Sequence, residues 1–131
     1  MNLTISKEGL FTPSFNKNKE LPAVDQITVR YRTPTVAIKN RVKRKPQTKG
    51  IAGASGRIDH MEIILEQDDV TALTEILISI SNCSYTDGDK ERPIVTSQDL
   101  INAPIDFEPL LKEIVAEFNR LLDNPGINEK N

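Results

Sequence analysis

The chain has 131 residues, the size of one domain with its own core, and its single cysteine, Cys83, excludes an internal disulfide and fits a reducing compartment. Apolar residues make up 37% and aromatic residues 5%, with no Trp, so part of the chain is expected to be irregular and to lie outside the core. The net charge of −2 conceals a segregation: residues 26–58 hold nine Lys/Arg and no acid, whereas residues 59–131 hold five Lys/Arg against sixteen Asp/Glu, a net of −11.

Such asymmetry has two explanations. Either the two segments pair within the fold or an assembly, or each meets its own partner. The first residues, MNLTISKEGLF, lack the basic start and apolar run of a signal peptide. No stretch approaches the roughly 18 consecutive apolar residues that cross a bilayer. The expectation is a soluble, intracellular protein with no membrane partner.

Residues 1–25 carry Gly9, Pro13, Pro22 and several Asn and Ser, and read as an extended arm with one short strand, anchored by Phe11 and Phe15. ITVRYR at 27–32 alternates, with Ile27, Val29 and Tyr31 on one face and Thr28, Arg30 and Arg32 on the other, the pattern of a half-buried strand. Thr33-Pro34 has the form of a helix N-cap followed by proline at the first helical position, opening a short basic helix that ends before Pro46. Residues 43–58, KRKPQTKGIAGASGRI, show no periodicity and read as a flexible basic Gly-rich loop, long for a compact domain.

MEIILE at 61–66 reads as a strand, and Asp68 or Asp69 as the cap of a helix through VTALTEIL. Ile76, Ile78 and Ile80 alternate as a strand, while Val70, Leu73, Leu77 and Ile80 fit a helix; helix first and strand after is the favoured order, with a turn near Ser84-Tyr85. TDGDKERP carries a hairpin-type turn, since Asp87-Gly88 favours positive φ. Thr96 or Ser97 caps a short helix, SQDLINA, closed by Pro104. The strongest signal is DFEPLLKEIVAEFNRLLDNPG. Phe107, Leu110, Leu111, Ile114, Val115, Phe118, Leu121 and Leu122 follow helical spacing, Asp106 stands as N-cap, Pro109 lies in the first turn, and Asn124-Pro125-Gly126 ends it. Residues 125–131 read as a frayed tail.

No catalytic, metal or cofactor constellation emerges. His60 is the only histidine and has no nucleophile or ligands at a recognisable spacing. Asp68-Asp69 and Asp87-x-Asp89-x-Glu91 lack the ligand pattern of a calcium loop. GIAGASGR carries Gly50, Gly53 and Gly56, but Ile51 stands where a phosphate loop or a dinucleotide fingerprint needs glycine, and Arg57-Ile58 replace Lys-Ser/Thr. The remaining candidate is basic: Arg30, Arg32, Lys39, Arg41, Lys43, Arg44, Lys45, Lys49 and Arg57 form a set that could meet protein or phosphate. Tyr31 is the only aromatic near it, so stacking platforms for single strands are absent from the pattern.

Two stretches resemble the tail assembly chaperones of long-tailed bacteriophages. FTPSFNKNKELPAVDQITVRYRTPT is similar to an N-terminal pattern F-x-P-x-F-N-x-N-x-x-L-P followed by a strand and P-T. ISNCSYTDGDKERPIVTSQDLINAPIDFEPLLKEIVAEF is similar to a C-terminal half of strand, Asp-Gly turn, a helix like I-x-[ST]-x-x-D-L-L and a helix like L-x-x-E-I. The basic Gly-rich segment at 43–58 departs from the pattern.

The resemblance implies a small α+β protein, not an enzyme and without cofactor, made in the host cytoplasm during virion assembly. It would bind the tape-measure protein and help recruit tail-tube subunits, and the opposite charges of the two segments are compatible with head-to-tail self-association along such a partner. The expected organisation is an arm at 1–25, one α+β domain at 26–124 with a short sheet and the C-terminal amphipathic helix packed on it, and a tail at 125–131. Two alternatives stay open: a nucleic-acid-binding accessory protein using the basic segment 30–57, and a structural tail or connector subunit of the virion.

Overall fold

A computed structural model describes residues 1–42 and 67–123. Strand β1 (Glu8–Phe11) pairs antiparallel with β2 (Thr28–Arg32), and β2 pairs antiparallel on its other side with β3 (Leu77–Ser81). Phe11, Val29 and Ile80 form one cross-strand row, and Leu10, Arg30 and Ser79 the next. Because side chains alternate across a strand, Val29 and Tyr31 face the core while Arg30 and Arg32 share the outer face. The alternation of ITVRYR is therefore realised.

Gly9 stands opposite Tyr31, whose ring crosses it so closely that any Cβ at position 9 would collide with the ring. Tyr31 is thereby laid over the sheet toward Phe118, with centroids 5.9 Å apart in an edge-on contact.

The β1–β2 ladder runs one residue beyond the strands. The Thr33 N–H donates to the Lys7 carbonyl at 2.8 Å, and the Thr33 hydroxyl donates to the Ser6 carbonyl. This corrects the expected helix start. Thr33 precedes proline and is held extended, so the chain turns two residues later: the Thr35 hydroxyl accepts from the Ile38 N–H at 3.1 Å and caps α1 (Val36–Val42).

Helix α2 (Gln67–Ile76) holds Asp68 and Asp69 within it rather than ahead of it, and runs directly into β3. Helix first and strand after is the order observed. Asn82, at φ 61°, turns the chain into β4 (Ser84–Asp87), which pairs with β5 (Lys90–Pro93) through the two-residue turn Gly88-Asp89. Gly88 has φ 69°, a positive value that glycine adopts without steric cost. The base of this hairpin is joined to β3, with the Ile94 N–H on the Cys83 carbonyl and the Ile80 N–H on the Val95 carbonyl, both at 2.9 Å.

Thr96 caps α3 (Ser97–Ile101) in a capping box with Asp99. The next helix differs from its expected start. The Pro104 carbonyl takes the Phe107 N–H at 2.9 Å and closes a 3-10 turn over Ile105–Phe107, so Asp106 lies inside that turn and is not an N-cap. Helix α4 (Glu108–Asp123) follows, with Pro109 in its first turn.

Leu110, Leu111, Ile114, Val115, Phe118 and Leu122 of α4 are buried, with Phe107 and Leu121 partly so. Each full burial is worth about 1.5–3 kcal/mol. Facing them are Leu73 and Ile76 of α2, Val29 and Ile80 of the sheet, and Ile38 and Val42 of α1, all in one core. The fold is α+β: a small antiparallel sheet with helices over one face and a hairpin at its edge. The strand expected at 61–66, the basic loop 43–58, the helix stop at 124–126 and the tail 125–131 lie outside the described residues.

Residues 12–27 connect β1 to β2 across the end of α4. The Glu113 carboxylate accepts from the Ser14 N–H at 2.6 Å and hydroxyl at 3.0 Å, and Phe15 meets Phe107 at 5.8 Å. Asn16 and Lys17, at φ 52° and 61°, turn the chain inward so that Asn18 is buried. The Asn18 amide nitrogen donates to the carbonyls of Pro13 (2.8 Å) and Ile27 (3.0 Å), and its oxygen accepts from the Ile27 N–H (2.6 Å).

Asn18→Ala strips three main-chain groups of partners, and should cost roughly 2–4 kcal/mol in urea denaturation given about 1–3 kcal/mol per buried unpaired group. Gly9→Ala, by contrast, should destabilise by about 1–3 kcal/mol through overpacking, and pairing it with Tyr31→Leu should recover part of the loss.

Candidate functional site

The sequence-derived basic set is divided by the fold. Arg30 and Arg32 lie on the outer face of the sheet, and Lys39 and Arg41 on α1. Lys39 and Arg41 are two residues apart, about 200° around the helix, and so cannot face one ligand together. Lys43, Arg44, Lys45, Lys49 and Arg57 lie outside the described residues.

Two of the four placed cations are already paired. Arg30 meets the Glu8 carboxylate at 2.8 Å, and Arg41 grips Glu75 with two bonds of 2.9 and 3.2 Å. Arg32 and Lys39 are exposed, and neither forms an ion pair with a described residue. Phe11, Phe15, Tyr31, Tyr85, Phe107 and Phe118 are the six aromatic residues of the chain, and all are buried or half-buried. No aromatic face stands beside Arg32 for a base to stack on.

Cys83, between β3 and β4, is buried, and burial pushes its thiol up to about 11. It is protonated at neutral pH and acts as a small apolar residue, not a nucleophile. Among the described residues no group of three or more His, Cys, Asp or Glu is placed to hold a metal ion. His60 is outside the described residues.

An open cleft of about 380 Å³ lies between the β4–β5 hairpin and α3, with Tyr85, Arg92, Pro93 and Asn102 in its walls. Its charged groups are engaged. Arg92 reaches Asp87 at 3.3 Å, Glu91 accepts from the Ser84 hydroxyl at 2.8 Å, and the Asp99 carboxylate accepts from the Val95 and Thr96 N–H groups at 3.1 Å each. The bonds from the Thr96 and then the Val95 backbone hold the Asp99 carboxyl below the usual carboxylate range. No nucleophile–base pair is found in the cleft.

The most fully hydrogen-bonded surface is the segment 18–27, part of the stretch that carries the resemblance but not of the basic set. Three side-chain amides bind its main chain. Besides the three bonds of Asn18, Gln26 donates to the carbonyls of Lys19 (3.2 Å) and Leu21 (3.0 Å), and Asn82 donates to those of Val24 (2.9 Å) and Gln26 (3.0 Å). The backbone adds Leu21 N–H to Asn18, Asp25 N–H to Pro22 and Gln26 N–H to Ala23. Yet Leu21, Pro22, Ala23 and Val24 are all exposed, Val24 by 80%. The available signal was the string KNKELPAVD itself: four apolar residues flanked by two acids, Glu20 and Asp25, beside turn formers.

Comparison with family models, with curated proteins and with solved structures gives no match to this chain. Among the described residues no helix is long and apolar enough to cross a membrane.

The lowered Asp99 carboxyl fixes a pH dependence. Its contribution is complete above about pH 4, the ordinary carboxylate value, and is lost as pH falls through the lower folded-state value. The Val95 and Thr96 amide proton shifts should titrate together with a midpoint below about 4, and Asp99→Ala should abolish that titration.

Proposed function

We propose that this chain is a tail assembly chaperone of a long-tailed bacteriophage, a non-enzymatic binding protein that takes up the tape-measure protein and helps recruit tail-tube subunits. The supporting observation is that the residues carrying the resemblance act together in the fold. Phe11, Pro13, Phe15 and Asn18 of F-x-P-x-F-N-x-N all lie in one packed and hydrogen-bonded unit between β1 and β2. The second stretch keeps its order as well: strand, Asp87-Gly88 turn, short helix and long helix correspond to β4, the hairpin turn, α3 and α4.

Binding of a helical client would not use the apolar stripe of α4, which is buried in the core. It falls to exposed apolar residues such as Leu10 and Val36, at 70% and 78% exposure, with Arg32 and Lys39, which form no ion pair with a described residue, on either side of Val36 in sequence. Co-expression with a tape-measure segment should yield a soluble complex that co-elutes on sizing; a segment that stays insoluble with no complex formed defeats the reading.

The second reading, a nucleic-acid accessory protein, is favoured by one observation, the exposure of Arg32 and Lys39 without ion partners among the described residues. Phosphate contacts made by cations alone are steeply salt-dependent, with a slope of about −0.9 per phosphate on duplex DNA. Under the chaperone reading, a gel shift at about 50 mM and 200 mM salt should show no retained band at either; retention lost between the two concentrations would favour the nucleic-acid reading.

A further inference from the structure

We propose that the outer edge of β1 is a docking site for an extended segment of another protein, which adds to the sheet as a further antiparallel strand. The first argument is the phase of the ladder. Hydrogen-bonded pairs alternate along an antiparallel ribbon, and the Thr33 N–H donates to the Lys7 carbonyl. The pairs Gly9–Tyr31 and Phe11–Val29 therefore turn their main-chain groups toward β2 as well. The N–H and C=O groups of Glu8 and Leu10 point the other way, out of the sheet, and no described group bonds to them. The opposite edge of the sheet is closed, since the Ile80 N–H of β3 is taken by the Val95 carbonyl. Outward donors and acceptors that repeat every second residue, about 7 Å apart, match the main chain of an extended strand. They do not match a helix, whose own N–H and C=O groups are bonded internally.

The second argument is how this edge is furnished. Edge strands are commonly guarded by proline, a bulge or unpaired charge. Glu8–Phe11 contains no proline, and the irregularity of this sheet lies in the β2–β3 ladder at Arg30-Tyr31, away from the open edge. The Glu8 carboxylate is held by Arg30 at 2.8 Å. Leu10, beside the outward groups, is 70% exposed. Lys7, just before the strand, is exposed and forms no ion pair with a described residue. These features define the occupant. In antiparallel register, an apolar residue opposite Leu10 places the third residue after it opposite Lys7. An acid at that place completes the contact and a base there is repelled, so Lys7 selects among strands rather than excluding them all. The inference does not rest on the chaperone reading, whose client is helical.

The experiment is an amide NMR titration of the full chain with the peptide acetyl-Thr-Val-Thr-Thr-Glu-Thr-amide, in which Val and Glu have this spacing. The Glu8 and Leu10 amides should exchange quickly with solvent in the protein alone, and at least about tenfold more slowly at saturating, millimolar peptide. Leu10→Pro removes an outward donor without removing a bond to β2, and should weaken binding by at least about tenfold. The same peptide with Lys in place of Glu should bind wild type about three- to tenfold more weakly, and Lys7→Glu should reverse that preference. Thermal unfolding is followed in parallel; should Leu10→Pro lower the midpoint, the Lys7→Glu reversal decides alone. Three results overturn the proposal. One is Glu8 and Leu10 amides already protected in the protein alone, which means that the chain itself or a second copy covers this edge. The others are the absence of shifts at millimolar peptide, and binding indifferent to the substitutions.

Discussion

The amide of Asn18 is the constraint on which the arrangement of the sheet depends. Among the described residues it is the one buried polar side chain, and it has three hydrogen bonds. Two go to Ile27, which leads into the central strand β2, and one goes to Pro13, just beyond the end of β1. One side chain thus fixes where the edge strand stops and the central strand begins. That choice sets which residues of β2 face inward: Val29 and Tyr31 enter the core only in this register. The left-handed backbone of Asn16 and Lys17 costs on the order of 1–2 kcal/mol each. Satisfying three main-chain groups that would otherwise be buried without partners offsets it.

The charge segregation seen along the chain is only partly resolved by pairing. Arg41 binds Glu75 across α1 and α2, joining the basic segment to the acidic one, while Arg30 turns to Glu8 of the neighbouring strand. All four side chains are substantially exposed, and exposed pairs contribute about 0–1 kcal/mol. They do not hold the fold together. Their consequence is for recognition, since they remove two cations from any phosphate-binding surface and leave Arg32 and Lys39 on different elements. Tyr31, the aromatic nearest the basic residues in sequence, is turned inward to Phe118. Among the described residues a phosphate ligand would therefore meet scattered charge without a stacking face.

What could be read from the sequence was whatever depends on near neighbours. The period of ITVRYR, the Asp87-Gly88 turn, the Thr96 cap and the stripe of α4 are local signals, and each is present in the fold. The helix starts were displaced for reasons that local pattern does not carry. Thr33 is claimed by Lys7 and Ser6, which are 26 and 27 residues away, and that leaves Thr35 to cap α1. Asp106 loses its place as cap because the Pro104 carbonyl takes up the Phe107 N–H first. Asn18 was least legible of all. Polar residues are read as exposed, and its burial is permitted only by Pro13 and Ile27 folding around it. The nine-residue basic set was a statement of composition, and composition does not say which cations find acids.

The loop beside Asn18 is held in an unusual way. Most loops are held by burying a large side chain of their own, which leaves polar groups outward. Here side-chain amides at 18, 26 and 82 do the holding, and the apolar residues 21–24 are left in solvent. Four small or medium side chains per copy fall well short of the ~800 Å² per partner of a standard interface.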